Sequence, residues 1–152
     1  MTNEQIIDAL AGWVAATVPD VDGKVYKAPP AEKDLGLPDC IVALLVEDPT
    51  LDDAQFPMLA GVQQIDGYTL RFGLSFMVQV EPGMAGELAA DQLVRSYAEA
   101  IKRAVRADDA ALGQRELIGV GPSFDYDPPF VQYQDGTRGR EMTCQLAVAQ
   151  LL

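Results

Sequence analysis

The sequence predicts an α+β fold: a mainly antiparallel β-sheet with two amphipathic helices, about residues 3–18 and 87–112, packed on one of its faces. Three observations predict it. Apolar residues recur at helical spacing near the N-terminus and again from residue 87 onward. The stretches Tyr68 to Val80 and Met142 to Val148 alternate between two kinds of side chain, the period of a strand with one covered face. Helix, strands, helix and strands follow one another in blocks, which favours α+β over a βαβ arrangement.

Thr2 and Gln5 have the spacing of a capping box, and Ile6, Leu10, Trp13 or Val14, and Val18 mark one helical stripe that Pro19 should stop. Asp20-Val21-Asp22-Gly23 is a turn by composition, and Lys24 to Ala28 can form a short strand before Pro29-Pro30. Residues 29–38 then read as a loop. The run Cys40 to Val46 is continuously apolar, which predicts a strand buried on both faces and ended by Asp48-Pro49. Leu51 to Gly67 has no clean period, and Pro57, Gly61 and Gly67 mark it as a long excursion with short edge segments.

Tyr68, Leu70, Phe72, Leu74, Phe76, Val78 and Val80 define the covered face of the strongest strand. At roughly 3.3 Å per residue it would reach about 43 Å, long enough that a bend near Gly73 or a projection beyond the sheet is expected. A projecting strand offers a contact surface to another subunit. Glu81-Pro82-Gly83 turns the chain into the second helix, apolar at Ala90, Val94, Tyr97, Ile101, Ala104 and Val105, with Asp91, Arg95, Glu99 and Arg103 four apart on its outer face and Leu112-Gly113 as its stop. Glu116 to Val120 and Phe130 to Tyr133 are weaker strand candidates, Gly119-Val120-Gly121 reads as a turn, and Asp135-Gly136 is a hairpin signal before the last strand.

The chain has 152 residues, near the size of one domain, and its apolar content of 49% is enough to build one core, so 1–152 reads as a single domain. The N-terminus lacks the basic residues and apolar run of a secretory signal, and Ala11 to Val18 is too short to span a bilayer, so no membrane association is expected. Cys40 and Cys144 each lie in an apolar stretch and read as reduced core residues. With 23 acidic and 11 basic residues the net charge is −12, which repels phosphate backbones.

The absence of histidine removes the commonest general base and the commonest transition-metal ligand. The acidic pairs Asp20/Asp22, Asp52/Asp53, Asp108/Asp109 and Asp125/Asp127 read as solvated loop charges. Asp20 to Gly23 fails as a calcium loop, because Val18 and Pro29 fall where ligands belong. Pro38-Asp39 could open a metal-dependent nuclease signature, but the strand after it ends Glu47-Asp48-Pro49 without the required lysine. No Gly-x-Ser-x-Gly elbow occurs. Trp13 and the Tyr68/Phe72/Phe76 stripe read as packing residues. No catalytic residue, cofactor or metal is expected, and the chain reads as an assembly protein rather than an enzyme.

The N-terminal helix, the strand Cys40 to Val46, the long strand ending Val78-Gln79-Val80-Glu81-Pro82-Gly83 and the helix containing Tyr97-Ala98-Glu99-Ala100-Ile101-Lys102-Arg103-Ala104-Val105 together resemble a bacteriophage tail-terminator protein, over nearly the whole chain. The resemblance implies a virion protein of the tail and neck, assembled in the host cytoplasm. Such proteins form a ring, commonly of six copies, that caps the tail tube, ends its polymerisation and meets a head–tail connector or stopper. The subunit contacts expected under it are Tyr68, Leu70, Phe72, Leu35 and Phe56, with loops 29–38 and 48–66. Glu47, Asp52 and Asp53 are the expected lumen acids, past which DNA would slide without specific binding. A head–tail stopper, adaptor or minor tail protein, or a small acidic module that masks a basic partner, would show similar composition.

Overall fold

The architecture rests on three strands held in one register. A computed structural model describes residues 3–27, 37–48, 65–107, 117–127, 130–132 and 138–151. They form α1 (Asn3–Thr17), a 3-10 turn (Pro19–Val21), β1 (Val25–Tyr26), β2 (Asp39–Asp48), β3 (Ile65–Gln79), α2 (Met84–Ala107), β4 (Leu117–Asp125), β5 (Val131–Gln132) and β6 (Arg138–Leu151). The fold is α+β. The sheet runs β1-β2-β3-β6-β4, with β5 also paired to β6. Four of the five pairings are antiparallel, and β1 with β2 is parallel, so the sheet is mixed at that one edge.

In the central register Cys40 faces Phe76 and Phe76 faces Met142; Val42, Leu74 and Cys144 form the next row, and Leu44, Phe72 and Leu146 the third. Because side chains alternate across a strand, these nine lie on one face. Both helices cover that face. From α1 come Ile6, Leu10 and Val14, from α2 Ala90, Val94, Tyr97, Ala98 and Ile101, all buried in one cluster with the strand residues. The Tyr97 hydroxyl donates to Asp20 Oδ2 at 2.9 Å and its ring stands 5.7 Å from that of Phe76, which ties α2 to the turn after α1. Trp13 packs partly buried against the same core, and both cysteines are free and buried.

Several expectations need correction. The described helices cover one face of β2: Cys40 and Val42 are fully buried, whereas Ile41 and Ala43 alternate with them at intermediate exposure. β3 does not project as a free surface, because it lies between β2 and β6 and is paired on both sides from Thr69 to Met77. Both registers run through Gly73, and the irregularities fall between Leu44 and Val46 in β2 and between Ile65 and Thr69 in β3. Gly119-Val120-Gly121 belongs to β4 rather than to a turn, since an edge strand tolerates Pro122 within the irregularity between Val120 and Ser123.

The second helix begins three residues earlier than expected. Gly83 sits at φ 98°, which only glycine adopts freely, and its carbonyl accepts from the Glu87 N–H at 3.1 Å, so the helix starts at Met84. The expected end at 108–112, and the turn at 135–136 between the paired β5 and β6, lie outside the described residues.

Two glycines in helices should respond oppositely to a methyl group. A Cβ at Gly86 would lie 2.1 Å from the Glu81 carbonyl oxygen, whereas at Gly12 it meets nothing within 4 Å. Gly86→Ala is expected to destabilise the fold by about 1–3 kcal/mol through overpacking. Gly12→Ala is expected to stabilise it by up to about 1 kcal/mol through helix propensity. Urea unfolding of the two variants beside wild type measures both signs.

Candidate functional site

The alternation of β6 extends two residues beyond the apolar run, and this places an arginine on the covered face. Arg140, Met142, Cys144, Leu146 and Val148 share one side of the strand, with Arg140 opposite Val78 in a fourth row. Arg140 is 3% exposed. A buried guanidinium needs its donors satisfied. Its Nη2 donates to Asp91 Oδ1 on α2 at 2.7 Å, and its Nη1 to the Tyr126 carbonyl at 2.8 Å. Asp91 also accepts from Arg95 Nε at 2.9 Å, the i,i+4 pair expected from the sequence. The Arg140 hydrogen bond, then that of Arg95, holds the Asp91 carboxyl below its ordinary pKa.

Around this node the segment from Phe124 to Phe130 is strapped against α2 and β6 by cations over rings. The Arg95 guanidinium lies 4.3 Å from the Tyr126 centroid, Lys102 Nζ 5.2 Å from Phe124, and the Arg138 guanidinium 4.9 Å from Phe130. Arg140 stands 5.8 Å from both Tyr126 and Phe130. Partly exposed contacts of this kind contribute about 0.5–1 kcal/mol each. Arg138 also pairs with Glu87 at 3.0 Å, and Lys102 with Glu99 at 3.2 Å. These cations are turned onto rings and carboxylates of their own chain, which suits an ordered surface.

The other face of the sheet carries no described helix. Its residues are mostly small or polar, with Ile41 and Met77 the larger apolar ones: Ile41 and Ala43 on β2, Arg71, Ser75, Met77 and Gln79 on β3, Thr143 and Gln145 on β6, Ser123 and Asp125 on β4. Asp39, at the start of β2, is 2% exposed, and its Oδ2 has no hydrogen-bond partner among the described residues. Burial raises its carboxyl to about 6, against the opposing charge of Lys24. Burial likewise raises the Cys144 thiol to about 12 and pushes the Cys40 thiol higher still, so neither is a thiolate nucleophile at neutral pH.

Of the residues expected at subunit contacts, Phe72 is fully buried in the core and is not available to a neighbour, because its position in β3 is in phase with the helix-covered face. Tyr68 and Leu70 belong to β3, where Leu70 is opposite Glu47 of β2, but their side chains and that of Glu47 lie outside the described residues. Leu35, Phe56, Asp52 and Asp53 lie outside them too, as do most of the two loops; Asp48 and residues 65–66 are strand. Asp20, Asp22, Asp125 and Asp127 are exposed, though Asp20 accepts from the Tyr97 hydroxyl and Asp125 from the Asp127 N–H. Among the described residues no group of three or more acidic or cysteine side chains is placed to hold a metal ion. No described helix is long and apolar enough to cross a membrane.

Sequence reasoning missed Arg140, and met Asp39 only as the possible opening of a nuclease signature, not as a buried carboxyl. The signal for Arg140 was its phase with Met142 and Cys144; for Asp39 there was only its place directly before a buried run. No protein-family model matches the sequence, and no curated protein is detectably similar to it.

The carboxyls of Asp91 and Asp39 predict opposite pH dependences. Asp91 has a folded pKa below its ordinary value, so its contribution is present above about pH 4 and is lost as pH falls through the lower folded value. Arg140→Met should cost on the order of 2–3 kcal/mol at pH 7, the worth of hydrogen bonds lost from charged groups, and should flatten the acid limb of the stability profile. Asp39 is raised, so its contribution is full below about pH 4 and is lost as pH rises through about 6. Asp39→Asn should therefore be more stable than wild type at pH 8 and no more stable at pH 4. Urea midpoints across that range decide both; identical profiles for wild type and Asp39→Asn would mean the carboxyl is solvated.

Proposed function

We propose that the chain is a structural, non-enzymatic protein of a bacteriophage tail, a terminator that forms a ring on the finished tail tube, stops its growth and meets the connector or stopper of the neck. The observation that carries this reading is the order and one-sidedness of the fold. An N-terminal helix, a strand, a long central strand, a long helix and a closing strand follow in the order on which the resemblance rests, and both helices lie on one face. Such a body has two unlike ends: α1 over β1 and β2, and α2 over β3, β6 and β4. A subunit with unlike ends can meet its neighbour head to tail, and rotation then closes a ring. The ring is hexameric under this reading, its partners are further copies, the tube protein and the neck protein, and its place is the virion.

The net charge of −12 gives the lumen its character: DNA passes without specific binding because carboxylates, with Glu47, Asp52 and Asp53 the lumen acids under this reading, repel its backbone. Electron microscopy of particles assembled without the protein tests the proposal. Overlong tails are the expected outcome. Tails of normal length, complete but unattached to heads, would replace termination by a neck function.

A further inference from the structure

The large apolar side chains that are exposed among the described residues all belong to α2: Met84 at 86%, Leu88 at 58% and Leu93 at 36%. Helical spacing turns Met84 and Leu88, with Ala85 and Gln92, away from Ala90, Val94 and Ile101, and puts Leu93 on the opposite flank. Over these first turns the exposed positions Met84, Ala85, Leu88, Ala89, Gln92 and Leu93 are uncharged, while Asp91 and Arg95 pair with each other beside them. Further along the same side the character changes to Glu99, Arg103 and Arg106, and the two arginines have no ion pair among the described residues. Exposed apolar side chains followed by cations on one helix are unusual on a chain of net charge −12.

We infer that the outward face of α2 docks on the α1–β1 end of a second copy. The charge pattern selects this occupant. Residues 3–27 carry the exposed acids Glu4, Asp8, Asp20 and Asp22 against Lys24 and Lys27, while α2 beyond the Asp91–Arg95 pair carries Lys102, Arg103 and Arg106 against Glu99. The two ends of one molecule are thus complementary in sign, and α1 offers Gly12 on its exposed side, where a neighbour can approach without meeting a side chain. Unlike patches meet, so the contact is heterologous and can close a ring. The assignment deepens the ring reading and rests on it.

Sedimentation velocity of the full chain over a wide concentration range tests it. Wild type should form a closed species of several copies, and Met84→Asp or Leu88→Asp should weaken association roughly thirtyfold or more, the scale of a central interface residue, with unchanged melting temperature. Arg103→Glu with Arg106→Glu should weaken it as well, and adding Glu4→Lys to that variant should restore part of the loss. A mixture of Leu88→Cys and Gly12→Cys chains should cross-link into a heterodimer. Undiminished association of the aspartate variants would overturn the α2 assignment while leaving the ring. A Leu88→Cys chain that cross-links to itself would overturn the head-to-tail contact, and a wild type that stays monomeric throughout would remove both.

Discussion

The whole arrangement depends on the register of β2, β3 and β6. Nine apolar side chains, in rows of Cys40, Phe76 and Met142, Val42, Leu74 and Cys144, and Leu44, Phe72 and Leu146, meet only if each strand keeps its phase. A slip by one residue would turn Arg71, Ser75, Thr143 and Gln145 toward the helices and the apolar set toward water. Each fully buried large side chain is worth about 1.5–3 kcal/mol of transfer free energy, so a slipped register would forfeit far more than the typical net stability of a domain. The helices carry no comparable constraint. They follow the face that the strands present.

The same register explains the buried arginine on the helix-covered face. A fourth row would be apolar if β6 kept its pattern, but Arg140 occupies it opposite Val78. Burying a guanidinium is costly unless its donors are used, and here Asp91 and the Tyr126 carbonyl use them. The partners come from α2 and from the chain after β4, so the charge that would destabilise a sheet alone instead fixes where the edge segment lies. Phe124, Tyr126 and Phe130 then cover the flank of α2 with their ring faces turned to Lys102, Arg95, Arg138 and Arg140.

The elements most legible in the sequence were those whose period is unambiguous. Tyr68 to Val80, Met142 to Val148 and the stripe Ile6, Leu10, Val14 led directly to β3, β6 and α1, and the two core cysteines followed from their apolar surroundings. β2 was misread in one respect. An unbroken apolar run is what a doubly covered strand requires, but Ile41 and Ala43 sit at intermediate exposure on a face that carries no described helix, and periodicity cannot separate the two. The strand through Gly119 to Asp125 was hidden because glycine and proline are turn signals by propensity, whereas an edge strand with an irregular register accepts both. Phe72 was read both as packing and as a contact, and the phase of its own strand decides for packing. The Asp91–Arg140 pair could not be seen at all, since it links residues 49 positions apart.

Charge sets the terms on which copies of such a chain can meet. At −12 each, two copies repel, but at physiological ionic strength charges more than about 8 Å apart are largely screened, so the local pattern at a contact outweighs the total. A contact between two acidic ends would bring carboxylates within that distance. A contact that buries Met84 and Leu88 brings Arg103 and Arg106, on the same side of the helix, toward the neighbour's acids, so apolar burial and charge attraction act together. The sign asymmetry thereby favours head-to-tail over head-to-head association, and it does so through residues that the core leaves unused. The fold fixes the inner side of α2 by packing against β3 and β6, and what the outer side carries is then free to specify a neighbour.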